Sequence, residues 1–183
     1  MTVPSQPTRL GPERVPIPAG PALGAVKTSS YGQPIDGIQC QSSEQVAYHI
    51  HAHLTLFVDG QPRQVPLAIG IGPPVQLTTT AVGDFASGGS CFYWLHTHAA
   101  DGVIHIESPT QQLYTLGQFF DVWGQALGPG QVGSAQGTIT AYVNGQVMAG
   151  NPRDIQLQLH DQIQLDVGTV VPPQMIDWSN TGL

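Results

Sequence analysis

Charge is what this sequence has least of. Only 9% of its 183 residues are Asp, Glu, Lys or Arg, against about 25% in ordinary soluble proteins. Lys27 is the single lysine; with four arginines it faces twelve acidic residues, for a net charge of −7. Such a chain has no basic stripe to lay along a phosphate backbone, which excludes nucleic-acid binding. Anionic lipid surfaces repel it. Long apolar runs are also missing: nothing approaches ~18 consecutive apolar residues, so no segment of the chain reads as inserting into a membrane.

Cysteine is nearly absent too. Cys40 and Cys91 are the only two, and they form no CxxC pair. They read as one disulfide, which implies an oxidising compartment; two unpaired buried thiols are the alternative. Gly (22) and Pro (16) are plentiful, and Gln, Thr and Ser stand where Lys and Glu usually do, a composition common among exported proteins. Residues 1–37 are Pro- and Gly-rich without a period, and read as an extended linker or N-terminal arm. We expect an export signal or anchor to have been removed ahead of it. Residues 38–183 then form a single β-rich metal-binding domain, large enough to hold its core without a metal.

Periodicity supplies the elements. Residues 46–58, VAYHIHAHLTLFV, alternate with period two: Tyr48, Ile50, Ala52, Leu54, Leu56 and Val58 point one way, and His49, His51, His53, Thr55 and Phe57 the other. Asp59-Gly60 and Asn144-Gly145 read as hairpin turns. Residues 70–90 read as a long loop, and 91–98 and 103–107 as strands. One amphipathic helix is expected at about 115–127, with Thr115 and Gln118 as a capping box and Gly124 or Gly128 as its stop. The fold class is therefore mainly β, an antiparallel sandwich or barrel-like sheet with one short helix.

Six of the seven histidines fall in two short segments: His49, His51 and His53, then His96, His98 and His105. On a strand, i and i+2 lie roughly 6.5–7 Å apart on one face. Two such imidazoles can converge on an ion with bonds of about 2.0–2.1 Å, whereas i and i+4 cannot. His49, His51 and His53 therefore cannot all serve one metal; two of them do, with His51 and His53 favoured, or the strand serves two sites. A two-residue turn at Asp101-Gly102 would oppose His98 to His105 and His96 to Glu107; a four-residue loop would oppose His96 to His105. In both registers His96, His98, His105 and Glu107 share a face. Glu107 is a ligand, an acceptor that fixes an imidazole tautomer, or a general base. His160 reads as an exposed turn residue. Imidazole with carboxylate suits copper or zinc, with iron and nickel also compatible.

The run CFYWLHTHAADGVIHIESP, followed by TLGQFFDVWG and preceded by HIHAHLTLFVDG, resembles a group of bacterial and archaeal extracytoplasmic proteins in which an HxHxHL strand precedes an LHTH…GxIHxE segment. The later YVNGQ…NPRDIQL fits the same pattern, so the resemblance spans roughly residues 46–168. It implies a metal site outside the cytoplasm and no particular activity. Three functions fit this reading. One is a metal-binding protein for capture, buffering or delivery. Another is a mononuclear or dinuclear metalloenzyme, either a copper or iron oxidoreductase or a zinc hydrolase or hydratase. The last is a structural or adhesion module stapled by metal, in which a homo-oligomer is compatible.

Overall fold

The computed structural model describes residues 9–27 and 31–183. Its centre is a seven-stranded sheet built from β1 (Tyr48–Val58), β2 (Gln61–Arg63), β5 (Leu95–His96), β6 (Val103–Ser108), β7 (Ile139–Val143), β8 (Gln146–Met148) and β9 (Gln162–Val167). Between β2 and β5 the chain forms a separate hairpin of β3 (Gln76–Thr80) and β4 (Gly83–Gly88). The sheet runs in the order β8-β7-β9-β1-β6-β5, with β2 paired to the far end of β1. It is open, not a closed barrel, and antiparallel except where β9 pairs with β1. Asp59-Gly60 and Asn144-Gly145 turn as expected, all four residues lying at positive φ, the twist that suits a two-residue hairpin.

The alternation of β1 holds. Ala52, Leu54 and Leu56 are in the core, with Tyr48, Ile50 and Val58 packed at its margin. The one α-helix among the described residues, α1 (Leu116–Trp123), starts at Thr115, whose hydroxyl accepts from Gln118 N–H while the Gln118 side chain accepts from Thr115 N–H. It ends at Gly124 in a left-handed cap, so Leu127 lies beyond it, in a small three-stranded sheet. Leu116, Phe119, Phe120 and Trp123 join the same core as Ile104 and Ile106 of β6. Apolar burial thus occupies one face of the sheet and leaves the histidine face to polar chemistry. Among the described residues no helix is long and apolar enough to cross a membrane.

Two segments depart from expectation. Residues 76–88 are a hairpin, not loop, because Thr-rich β3 pairs with β4 while staying largely exposed; without a buried stripe it shows no apolar alternation. The N-terminal segment, over residues 9–27, is no free linker. Val15 is fully buried, Leu23 enters the core, and Leu23 N–H and Gln64 N–H bond the carbonyls of Gln64 and Pro21. Residues 1–8 and 28–30 of that expected arm lie outside the described residues.

Cys40 and Cys91 form a disulfide, Cα to Cα 5.5 Å, across 51 residues. It ties the segment before β1 to the strand pair leading into β5. Replacing both cysteines by alanine should lower stability by about 4 kcal/mol, the chain-entropy value for a loop of this length, read as a lower urea midpoint. A loss below about 1 kcal/mol would show that the bridge does not restrict the unfolded chain.

Candidate metal centre

The register of three neighbouring strands assembles the site. Between β1 and β6, His49 stands opposite Glu107 and His51 opposite His105. Between β6 and β5, His96 stands opposite His105. His51, His105 and His96 therefore form one row across three strands, each about 4.8 Å from the next. Their ring centroids are 4.6 Å (His51–His105) and 5.4 Å (His105–His96) apart. His98, just past the end of β5, turns its ring edge-on to His105 at 4.5 Å.

This is the longer-loop register; the two-residue Asp101-Gly102 turn does not form. The chain leaves the ladder because His98 bonds elsewhere: its carbonyl accepts from Ala86 N–H of β4, 2.8 Å. Asp101 Oδ1 accepts from Val103 N–H, 3.1 Å, and the Gly102 carbonyl accepts from Leu54 N–H, 2.9 Å. Gly102 has φ of 89°, and a Cβ there would run into the Leu54 carbonyl.

Ligand atoms of His96, His98, His105 and Glu107 lie within 4.8 Å of one another, as do those of His49, His51 and His105; either group could hold a metal ion. His53 joins neither. It faces Val103 across the ladder, and its Nε2 is 2.8 Å from the Asp101 carbonyl oxygen, so the pairing of His51 with His53 gives way to His51 with His49. His160 is a turn residue but only half exposed: its ring stacks on Trp178 at 4.6 Å.

Backbone acceptors fix which nitrogens face the centre. His96 Nδ1–H donates to the Tyr93 carbonyl at 2.8 Å, and His98 Nδ1–H to the Ala86 carbonyl at 2.6 Å, which turns both Nε2 atoms inward. His105 Nε2 is 2.7 Å from Glu13 Oε1, leaving Nδ1 inward, 3.4 Å from Glu107 Oε1. Among the described residues, three buried atoms there, His96 Nε2, His105 Nδ1 and Glu107 Oε2, have no hydrogen-bond partner. Each such group costs about 1–3 kcal/mol, and a cation coordinated by all three would offset it. No thiolate is available, since both cysteines are bridged. A donor set of imidazoles and one carboxylate fits zinc, copper, iron or nickel.

Two participants carry no sequence motif. Glu13, buried, arrives on the N-terminal arm, where Gly11 N–H bonds the Val15 carbonyl and closes a small loop around it. Glu44 places Oε1 3.3 Å from His98 Nε2 and 4.0 Å from His96 Nε2. The sequence contains just three glutamates, Glu13, Glu44 and Glu107, and all three meet imidazoles of this centre. That scarcity is the signal by which Glu13 and Glu44 could have been found. Phe85 of β4 stacks on His98 at 4.7 Å. A cavity of about 480 Å³ opens here, bordered by Glu13, Glu44, His49, His51, His98 and Glu107.

Burial sets the protonation states. It lowers His51 and His96 to about 3, helped by His105 with His49 or His98, lowers His53 to about 4, and lowers His98, again with His105. For His105 burial acts downward, but the carboxylates of Glu107 and Glu13 on either side of the ring outweigh it and lift the ring to about 9. For Glu107 burial acts upward, but His105 and the imidazoles around it bring the carboxyl down to about 2. Asp101 is raised to about 8 by burial and by Glu13.

The metal-free protein should therefore lose stability in acid. His51, His53 and His96 contribute stability above their unfolded value of about 6.5 that is lost as pH falls toward 3–4, and His98 acts in the same direction. Glu107 acts in the same direction at lower pH. His105 acts oppositely: its contribution is complete below about 6.5 and is lost as pH rises through about 9. Asp101 also opposes, its contribution fading as pH rises from about 4 to 8. The balance is a melting temperature that drops between pH 6.5 and 4; a flat or rising profile there would contradict neutral buried imidazoles. In the same metal-free protein, Glu13→Ala strands the buried His105 charge and should cost about 3 kcal/mol. Glu13→Gln, which keeps an acceptor for Nε2–H, should cost less; equal losses would mean that Glu13 acts through packing alone.

No protein-family model, curated protein or solved structure matches this chain, so its chemistry rests on these side chains.

Proposed function

We propose that this is an extracytoplasmic protein that binds a transition-metal ion, copper or zinc, through His96, His98, His105 and Glu107. The observation that carries the reading is the convergence of three buried donor atoms, unpartnered among the described residues, with backbone acceptors and Glu13 turning the imidazoles so that His96 Nε2, His98 Nε2 and His105 Nδ1 face inward. The disulfide supports a place in an oxidising compartment. The LHTH…GxIHxE motif carries His96, His98, His105 and Glu107, so its resemblance to the extracytoplasmic group supports the same assignment.

A second reading, a metalloenzyme, is favoured by one feature. The cavity reaches the centre from outside, which suits a metal that keeps a position open for an exogenous ligand. In that case Glu107, already ionised, is the ligand or proton acceptor nearest the metal. Capture or delivery of metal instead needs a centre that the protein closes completely.

Protein purified without a polyhistidine tag and offered Cu²⁺ or Zn²⁺ should retain about one ion per chain or more, and gain about 2.7 kcal/mol of stability at a free-metal level a hundred times Kd. His96→Ala with His98→Ala should diminish both effects, removing the ion that these two imidazoles hold. Retention of no more than about 0.2 ions per chain by the unaltered protein, or undiminished uptake by the double variant, defeats the assignment. Azide added to the copper-loaded protein separates the two readings: a shifted charge-transfer band marks an open position, and an unchanged spectrum a closed one.

A further inference from the structure

The two oxygens of Glu107 face different imidazoles. Oε2 is 3.9 Å from His96 Nε2; Oε1 is 3.1 Å from His49 Nε2 and 3.4 Å from His105 Nδ1. On the Oε1 side, His49 Nε2 and His51 Nε2 are 3.1 Å apart. Two nitrogens bound tetrahedrally to one ion at about 2.0–2.1 Å stand about 3.3 Å apart, so this pair already has the spacing of two ligands on one metal. Their rings come from alternate residues of β1, and His105 completes a second group within 4.8 Å. The strand geometry that prevents one ion from taking every histidine leaves exactly this remainder.

We propose that the centre is dinuclear. One ion is held by His96 and His98, a second by His49 and His51, and the Glu107 carboxylate bridges them through Oε2 and Oε1. This rests on the metal-binding reading above and extends it from one ion to two. His105 belongs to both groups, but Glu13 occupies its Nε2, so it adds Nδ1 to one ion only. One ion therefore has four protein ligands and the other three. The three-ligand ion keeps a position for an oxygen-donor ligand, water or an oxyanion, entering through the cavity that His49, His51 and His98 border. A pair of ions clamping such a ligand is the arrangement by which two-metal centres activate oxygen nucleophiles.

The test uses the full chain without a tag, titrated with copper(II). Metal is counted after gel filtration, and the paramagnetic resonance signal is integrated at each step. The expected result is two ions per chain, with full signal at the first equivalent and a lower signal per copper at the second, as bridged spins couple. Uptake that stops at one ion overturns the dinuclear centre and leaves the metal-binding reading intact; no uptake overturns both. Two ions whose signals simply add overturn the bridge. His49→Ala with His51→Ala should hold one ion with an uncoupled signal; retention of two refutes the assignment. His51 is buried, so His49→Ala alone, at a side chain 40% exposed, guards against misfolding. It should weaken the second equivalent by about tenfold or more and leave the first unchanged; equal weakening of both, or of neither, also counts against the proposal.

Discussion

The site depends on the register of β6. This strand lies between β1 and β5 and presents Ile104 and Ile106 to the core, His105 and Glu107 to the opposite face. A slip of one residue would exchange the two sets, burying an imidazole and a carboxylate against Phe119 and Trp123. Each isoleucine is fully buried, and burial of that kind is worth about 1.5–3 kcal/mol per side chain. Glu107 N–H bonds the Trp94 carbonyl at 2.8 Å, which fixes β5 against β6 in the same register. The apolar core thus specifies the polar constellation on its far side.

Given that register, burial and a few acceptors do the remaining chemistry. Excluding water keeps His51 and His96 neutral, with lone pairs available for coordination. The carbonyls of Tyr93 and Ala86 then determine which nitrogen of His96 and His98 carries the proton, and the Glu13 carboxylate anchors Nε2 of His105. Without a cation the arrangement is costly: like-charged imidazoles depress one another, and buried donor atoms go unpaired. Coordination of a cation would relieve both costs at once and would couple metal affinity to stability. A chain of this size can bury a core of its own, so the tension can be confined to the site rather than spread through the core.

Much of this was legible in the sequence. Period-two alternation in VAYHIHAHLTLFV separated the core face of β1 from its histidine face, and the capping box of Thr115 and Gln118 located the start of α1 to the residue. What could not be read was non-local. The parallel pairing of β1 with β9 joins segments about a hundred residues apart and leaves no local pattern. The β3–β4 hairpin is exposed, so it lacks the apolar stripe that marks a strand, yet its Ala86 carbonyl orients His98. The Asp101-Gly102 turn misled because local turn propensity was outweighed by backbone bonds to Ala86 and Leu54. Glu13 lay hidden in a Pro- and Gly-rich stretch, although a chain with three glutamates places each under suspicion.

The HxHxH strand shows why spacing alone does not define a metal site on a sheet. His49, His51 and His53 are equivalent in sequence and share one face of β1. Their fates differ because their cross-strand partners differ: Glu107, His105 and Val103 in turn. The first two positions meet a side chain able to coordinate a metal about 5 Å away, and so could close a coordination shell. His53 meets an aliphatic residue, and its ring turns instead to the Asp101 carbonyl, where it braces the loop after His98 rather than the centre. On a β-sheet, then, a histidine at i+2 supplies only half of a ligand pair. The partner strand's register supplies the other half, and that register was set by the isoleucines on the opposite face.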